Sequence, residues 1–109
     1  PYVIKYNAKD PVAAKRYAEI ARRVGLAGAS ERALINSLCE KINEFNVILG
    51  IPATLKEFGI KEDEFKEKIS EIAKNAVGDA CTGSNPRAID PETMERLFTC
   101  IYYGTEVDF

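Results

Sequence analysis

The segment Ser30-Glu-Arg-Ala-Leu-Ile-Asn-Ser-Leu-Cys-Glu-Lys-Ile-Asn-Glu-Phe-Asn-Val-Ile-Leu-Gly50 predicts the longest helix of the chain. Ser30 is a favourable N-cap, and Gly50 is a favourable residue at the end. The apolar residues between them recur at spacings of three and four, which is typical of one buried helical face. They are Ile35, Leu38, Ile42, Phe45 and Leu49, with Leu34 and Ile48 at the sides. Because this stripe covers only about two heptads, we expect it to pack within one domain and not in a coiled coil.

One similar helix precedes this segment and two follow it. Asp10-Pro11 supplies a cap and a proline start, and Gly25 ends that helix. Glu62-Asp63-Glu64 suits the positive end of a helix dipole. Asp90-Pro91 repeats the cap-proline start, and Gly104 ends the last helix. The residues expected on the buried faces are Ala14, Tyr17, Ala21 and Val24; Phe65, Ile69, Ile72, Ala73, Ala76 and Ala80; and Met94, Leu97, Phe98 and Ile101.

A short connector joins the long helix to the second half of the chain. Thr54 can cap a single turn from Leu55 to Phe58, which Gly59 closes. No segment shows the alternation of a strand, an internal repeat or low complexity. The sequence therefore predicts an all-α fold, a helical bundle of about four main helices plus short helical turns, in a single domain covering residues 1–109.

The stretch Asp79-Ala-Cys-Thr-Gly-Ser-Asn-Pro-Arg87 interrupts this helical pattern. Pro86 has no amide hydrogen and pushes Asn85 towards an extended conformation, and Gly83 tolerates backbone angles that other residues resist. A thiol, two hydroxyls, an amide and a guanidinium within a few residues could line a polar cleft. These residues alone favour the simpler interpretation of a connecting loop that Arg87 holds down.

Composition and charge exclude several classes of function. Fifteen basic and seventeen acidic side chains give a net charge of −2, which offers no electrostatic case for nucleic acid or an acidic membrane as partner. No apolar run is long enough to cross a bilayer. Histidine is absent, and with it the commonest transition-metal ligand and general base. The cysteines Cys39, Cys81 and Cys100 are odd in number and widely spaced, which indicates reduced thiols in the cytoplasm.

Several segments, taken in order, resemble the C-terminal helical domain of the iron-containing (group III) alcohol dehydrogenases. Pro1-Tyr-Val-Ile-Lys-Tyr-Asn7 resembles the L-P-x-V-x-x-x-N segment of that family, and Ala14-Lys-Arg-Tyr-Ala-Glu-Ile-Ala21 resembles its next helix. Leu49-Gly-Ile-Pro52, Leu55-Lys-Glu-Phe-Gly-Ile60 and the 79–87 stretch follow in the family's order. The ending Ile101-Tyr-Tyr-Gly104 is similar to the alcohol dehydrogenase part of bifunctional aldehyde-alcohol dehydrogenases.

The resemblance implies an NAD(P)-dependent oxidoreductase that interconverts alcohols and aldehydes or ketones. One divalent metal, iron or zinc, would polarise the alcohol oxygen while the nicotinamide cofactor takes the hydride. In the family, the metal ligands and the nucleotide-binding domain precede the residue that matches Pro1. We therefore expect no catalytic, metal-binding or cofactor-binding residue in this chain, which would be an inactive C-terminal fragment. A stand-alone, non-catalytic helical interaction module with the same fold is the alternative.

The resemblance also assigns roles within the interrupting stretch. Cys81 and Thr82 match the loop that approaches the substrate side of the metal cleft, and we expect them to line it. Gly83, Asn85, Pro86 and Arg87 would give the loop its shape.

A domain that lacks its neighbour should also expose an apolar patch. We expect this patch at Tyr2, Val3 and Ile4, where the N-terminal domain would dock or the chain would associate with itself. Cys39 and Cys100 are expected to be packing residues.

Overall fold

The computed structural model describes residues 1–109, and helices account for all of its regular secondary structure. The all-α prediction is confirmed. The six helices are α1 (Tyr2–Asn7), α2 (Pro11–Arg23), α3 (Glu31–Ile48), α4 (Leu55–Phe58), α5 (Glu62–Gly78) and α6 (Pro91–Tyr103). A single 3₁₀ turn, Thr82–Ser84, lies between α5 and α6.

The helix starts follow from local hydrogen bonding. Asp10 accepts hydrogen bonds from the amides of Val12 and Ala13, and Ser30 accepts one from Ala33. Thr54 and Asp90 cap α4 and α6 in the same way. Each cap pairs amide groups that have no partner within the helix, so the predicted starts are confirmed.

The helices form two pairs, joined by α1. The long helices α2 and α3 pack against each other, as do α5 and α6. The short helix α1 contacts α2, α3 and α6, and α4 packs on α6. The resulting molecule is elongated, with principal extents of 42 × 31 × 22 Å.

The interior consists of small separate clusters. Alanines of α2 pack closely on Leu34 and Ile35 of α3. Tyr6 of α1 packs with Leu97 and Cys100 of α6 and with Val107 of the C-terminal tail. Cys39 and Cys100 are buried, which confirms their expected packing role.

The second half of the α3 stripe is not packed as predicted. Leu34 and Ile35 are buried, whereas Phe45, Ile48 and Leu49 are 55%, 76% and 71% exposed. The cause is a difference in length, because α2 has 13 residues and α3 has 18. At 1.5 Å per residue, roughly 7 Å of α3 has no length of α2 to pack on.

Three other residues expected to be buried are exposed, and the N-terminal patch is smaller than predicted. Val24 lies at the C-cap of α2 and Ala80 lies beyond the end of α5, while Ile72 is at the edge of its helical face. Within the N-terminal segment only Val3 is exposed, since Tyr2 and Ile4 are half-buried against the clusters around Tyr6 and Cys39 respectively. The largest group of exposed apolar side chains is instead at the C-terminal end of α3.

The total accessible surface agrees with this open packing. It is 7236 Å² for a chain of 12.1 kDa, whereas a compact monomer of that mass exposes about 6,000 Å². None of the helices combines the length and apolar character needed to span a membrane.

Candidate functional site

The interrupting stretch folds into a loop that is closed by its own hydrogen bonds. Asp79 accepts a hydrogen bond from the Cys81 amide at 2.8 Å. The Thr82 hydroxyl donates to the Ala76 carbonyl at 2.6 Å, and the Ser84 hydroxyl donates to the Cys81 carbonyl at 2.7 Å. The bond from Thr82 gives a partner to one of the free carbonyls at the end of α5. The loop is therefore hydrogen-bonded to the end of α5.

Two asparagines attach the loop to α1. The Asn7 side-chain amide donates to Asn85 Oδ1 at 2.8 Å, and the Asn85 amide donates to Asn7 Oδ1 at 2.8 Å. Asn7 is 2% exposed, and it is the only buried polar residue of the chain. The Asn85 amide also donates to the Arg87 carbonyl at 2.6 Å. Because a buried amide without partners is unfavourable, this reciprocal pair fixes the loop relative to α1.

Arg87 connects the loop to α1 and to the last residue of the chain. Its Nη1 donates to the Tyr6 carbonyl at 2.9 Å and to the Phe109 carbonyl at 2.8 Å. The guanidinium also lies 4.0 Å from the centroid of the Tyr6 ring, a favourable cation–π distance. The Tyr6 hydroxyl in turn donates to the Ala88 carbonyl at 2.6 Å. One guanidinium thus holds three distant segments together.

A pocket of about 460 Å³ lies between α1, the loop and α6. We call it the α6 pocket. Its lining is mainly apolar, with Val3 and Tyr6 from α1 and four side chains from α6. The lining residues are Val3, Tyr6, Cys81, Thr82, Ser84, Asn85, Pro86, Ile89, Met94, Leu97, Phe98 and Ile101.

The structure brings most of the predicted site residues to this pocket. Cys81 and Thr82 both line it, together with Asn85 and Pro86. The Cys81 thiol is exposed and forms no hydrogen bond. Arg87 lies outside the lining, in contact with the backbone.

Gly83 is also outside the lining, and its conformation corrects one expectation. Its φ is not positive, and a Cβ added there would meet no atom within 4 Å. The backbone of this loop therefore gives no steric reason for glycine at position 83.

Sequence reasoning missed the α1 side of the site. Tyr6 and Asn7 carry the contacts that position the loop, yet they lie 82 and 78 residues from their partners Ala88 and Asn85 in the chain. One signal was available for Asn7, since it matches the asparagine of the family's L-P-x-V-x-x-x-N segment. Ile89, between the loop and α6, offered no such signal.

Residues 1–102 match the model of the family described as Fe-containing alcohol dehydrogenase family, C-terminal. The chain therefore belongs to the iron-containing alcohol dehydrogenases, and the predicted family is confirmed.

Individual relatives include alcohol dehydrogenases with different names. The chain is 51% identical over 109 residues to the NADPH-dependent butanol dehydrogenase of Clostridium saccharobutylicum, covering 100% of this chain and 28% of that protein. It is 38% identical over 103 residues to an alcohol dehydrogenase of Thermococcus barophilus, covering 94% and 25% respectively. It is 33% identical over 119 aligned positions to the bifunctional aldehyde-alcohol dehydrogenase of Escherichia coli K12, covering 95% and 13%. The chain spans less than a third of the length of each.

The metal implied by the family does not fit the residues of this chain. The sequence contains no histidine, and no group of three or more cysteine, aspartate or glutamate side chains is placed to hold a metal ion. Structural and catalytic metal sites in proteins need three or four such ligands around one point. The α6 pocket itself is lined mainly by apolar side chains.

Proposed function

We propose that this chain acts as the C-terminal helical domain of a metal-dependent, NAD(P)-linked alcohol dehydrogenase. The enzyme would interconvert alcohols and aldehydes or ketones, and this chain would form one wall of its active-site cleft. The observation that carries the proposal is the α6 pocket, where Cys81 and Thr82 meet the apolar face of α6 in a member of this family. By itself the chain would be inactive.

In this role Cys81 shapes the cleft and does not act as a nucleophile. No side chain that could serve as a base hydrogen-bonds to its thiol, and a nucleophilic cysteine needs such a partner or a nearby positive charge. Thr82 lines the pocket, and its hydroxyl donates to the Ala76 carbonyl. Both residues would exclude water from the reacting carbon.

The remaining loop residues would keep this wall in place. The amide pair of Asn85 with Asn7 and the two carbonyl contacts of Arg87 support that assignment. Pro86 lines the pocket and restricts the backbone between them. Gly83 has no such support, because its φ does not require glycine.

Residues beyond this chain would supply the nucleotide-binding domain, the metal ligands and the cofactor contacts. The share of the relatives that the chain spans, 28% of the butanol dehydrogenase, supports this division. A small alcohol or aldehyde would be the substrate, and a cytoplasmic location would suit the three unpaired cysteines.

The test compares this chain with the product of the complete reading frame that encodes it. Both are assayed for NAD⁺ and NADP⁺ reduction with 1-butanol after loading with Fe²⁺ or Zn²⁺. We expect turnover from the complete product only, and we expect Cys81→Ser to keep its metal and its activity with an altered substrate preference. Loss of turnover in Cys81→Ser, with metal content and helicity unchanged, would assign the thiol a direct role.

The exposed apolar end of α3 favours a second candidate, a non-catalytic helical interaction module. Phe45, Ile48 and Leu49 present an apolar surface to solvent, as interaction surfaces do. A complete reading frame whose product binds neither a dinucleotide nor a divalent metal would favour this candidate over the dehydrogenase.

A further inference from the structure

The α6 pocket has a polar side and an apolar side. The loop provides Cys81, Thr82, Ser84 and Asn85 along one edge. The rest of the lining is mainly hydrocarbon from α1, from the segment before α6 and from α6 itself. Its side chains are Val3, Ile89, Met94, Leu97, Phe98 and Ile101.

The polar edge has few hydrogen-bond donors left for a ligand. The hydroxyls of Thr82 and Ser84 donate to the carbonyls of Ala76 and Cys81. Both amide hydrogens of Asn85 are directed to Asn7 Oδ1 and the Arg87 carbonyl. A ligand that enters the pocket therefore gains free energy mainly by burying apolar surface.

The size of the pocket suits a small molecule. Its 460 Å³ falls within the usual range of about 300–1,000 Å³ for small-molecule sites. Met94 and Phe98 are one helical turn apart on α6, so their side chains lie side by side on the face that forms the wall. Both are half-buried, which leaves part of each side chain available for contact.

We propose that the α6 pocket holds the hydrocarbon chain of an aliphatic alcohol or aldehyde, and that Met94 and Phe98 limit the length of chain accepted. The proposal rests on the dehydrogenase function above and adds the residues that determine which chain length is accepted. The oxygen of the substrate would project past the loop edge, towards the residues that lie beyond this chain.

Binding to the isolated chain tests the pocket without any turnover. We would titrate the ¹⁵N-labelled chain with 1-propanol, 1-butanol, 1-hexanol and 1-octanol, with 1,2,3-propanetriol as the polar control. We expect amide shifts confined to the pocket residues, and an affinity that rises about fourfold for each added methylene until the pocket is filled. The triol should cause no such shifts.

A pair of phenylalanine variants tests the length limit. Phe98→Ala should move the longest chain accepted upwards by lengthening the pocket, whereas Phe58→Ala, at an exposed phenylalanine outside the pocket, should leave the series unchanged. Phe98→Leu is the milder replacement if Phe98→Ala unfolds. In the complete enzyme, the same variants should shift the alcohol with the highest kcat/KM in the same direction.

The outcomes separate this inference from the proposed function. Two results would overturn the inference and leave the function standing. One is alcohol oxidation by the complete enzyme with a chain-length preference that does not depend on Phe98 or Met94. The other is amide shifts outside the pocket. Length-dependent binding to this chain, with no alcohol oxidation by the complete product, would overturn the function and retain the binding site.

Discussion

Asn7 and Asn85 exchange two side-chain hydrogen bonds of 2.8 Å across 78 residues of sequence. The pair joins the first helix to the loop between α5 and α6. The amide groups also donate outside the pair, Asn7 to the Tyr17 hydroxyl at 3.3 Å and Asn85 to the Arg87 carbonyl at 2.6 Å. Asn7 is among the largest fully buried side chains of the protein. The position of the pocket wall thus depends on an interaction between two neutral amides.

Replacing either asparagine by alanine should destabilise the chain. The partner would lose both hydrogen bonds of the pair, which costs about 1–3 kcal/mol. Urea unfolding of Asn7→Ala, Asn85→Ala and the double variant should show that the two losses of unfolding free energy are strongly non-additive. The reason is that the second replacement removes the amide that the first one left without its partner. Asn75→Ala, on the exposed face of α5, is the matched control and should cause no loss. Additive effects would show that the two amides act independently.

Arg87→Ala should lower the free energy of unfolding by about 1–3 kcal/mol, since two carbonyls lose their donor and the Tyr6 ring loses its cation. Arg87→Lys should recover only part of this, because an ammonium cannot reproduce the planar guanidinium. Arg16→Ala is the control, since Arg16 makes only an exposed ion pair with Glu19 at 3.4 Å. Equal losses of stability in Arg16→Ala and Arg87→Ala would contradict the stabilising role of the Arg87 contacts.

The three cysteines should differ sharply in their reaction with iodoacetamide. Cys81 is exposed, whereas Cys39 and Cys100 are buried, and burial also raises the pKa of the Cys39 thiol and so reduces its reactive thiolate. Intact mass should show one modification in the folded chain and three in urea. Peptide mapping should place the single modification at Cys81, and rapid labelling of Cys39 in the native chain would contradict the structure.

The cap of α6 predicts a dependence of stability on pH. The backbone amide of Thr93 donates to the Asp90 carboxylate at 2.7 Å and lowers the pKa of that carboxyl below its usual 3.8. The stabilisation by the charged cap is complete above pH 3.8 and is lost as the pH falls through the lowered folded-state pKa. Asn is an equally good cap without a charge to lose.

Chemical unfolding at pH 6 and pH 2.5 should therefore show that acid lowers the free energy of unfolding less in Asp90→Asn than in the unchanged chain. Glu71→Gln is the control, because Glu71 is exposed and forms no ion pair. If acid lowers the free energy of unfolding of Asp90→Asn as much as that of the unchanged chain, other carboxylates are responsible.

The apolar end of α3 should bind a hydrophobic fluorescent dye in the folded state. Ile48→Lys should reduce the fluorescence at little cost in stability, because Ile48 is 76% exposed and makes few packing contacts. Val24→Lys, at an exposed valine that caps the end of α2, should leave it unchanged. Unaltered dye binding in Ile48→Lys would place the exposed apolar surface elsewhere.

The sequence predicted the features that depend on neighbouring residues. Ser30 and Asp90 cap helices because their side chains reach amides three residues ahead. Gly59 and Gly104 end helices with positive φ angles, which glycine adopts without strain. For such features the sequence contains both partners of the interaction within one turn.

Features that depend on distant residues were predicted less well. The spacing of Phe45 and Leu49 identifies an apolar face but does not show whether another helix is long enough to cover it. The loop residues Cys81 and Thr82 were predicted as a group, but the α1 residues that complete the pocket were not. Such contacts depend on how the helix pairs are arranged, which periodicity does not specify.

The contacts of Arg87 also set the order in which the chain can assemble. The α2–α3 and α5–α6 pairs each join helices that are adjacent in sequence, so they can form as soon as both helices exist. The carbonyl of Phe109, in contrast, lies beyond α6 and 22 residues from Arg87 in the sequence. During translation the contact between Arg87 and Phe109 can therefore form only after the whole of α6 has been synthesised.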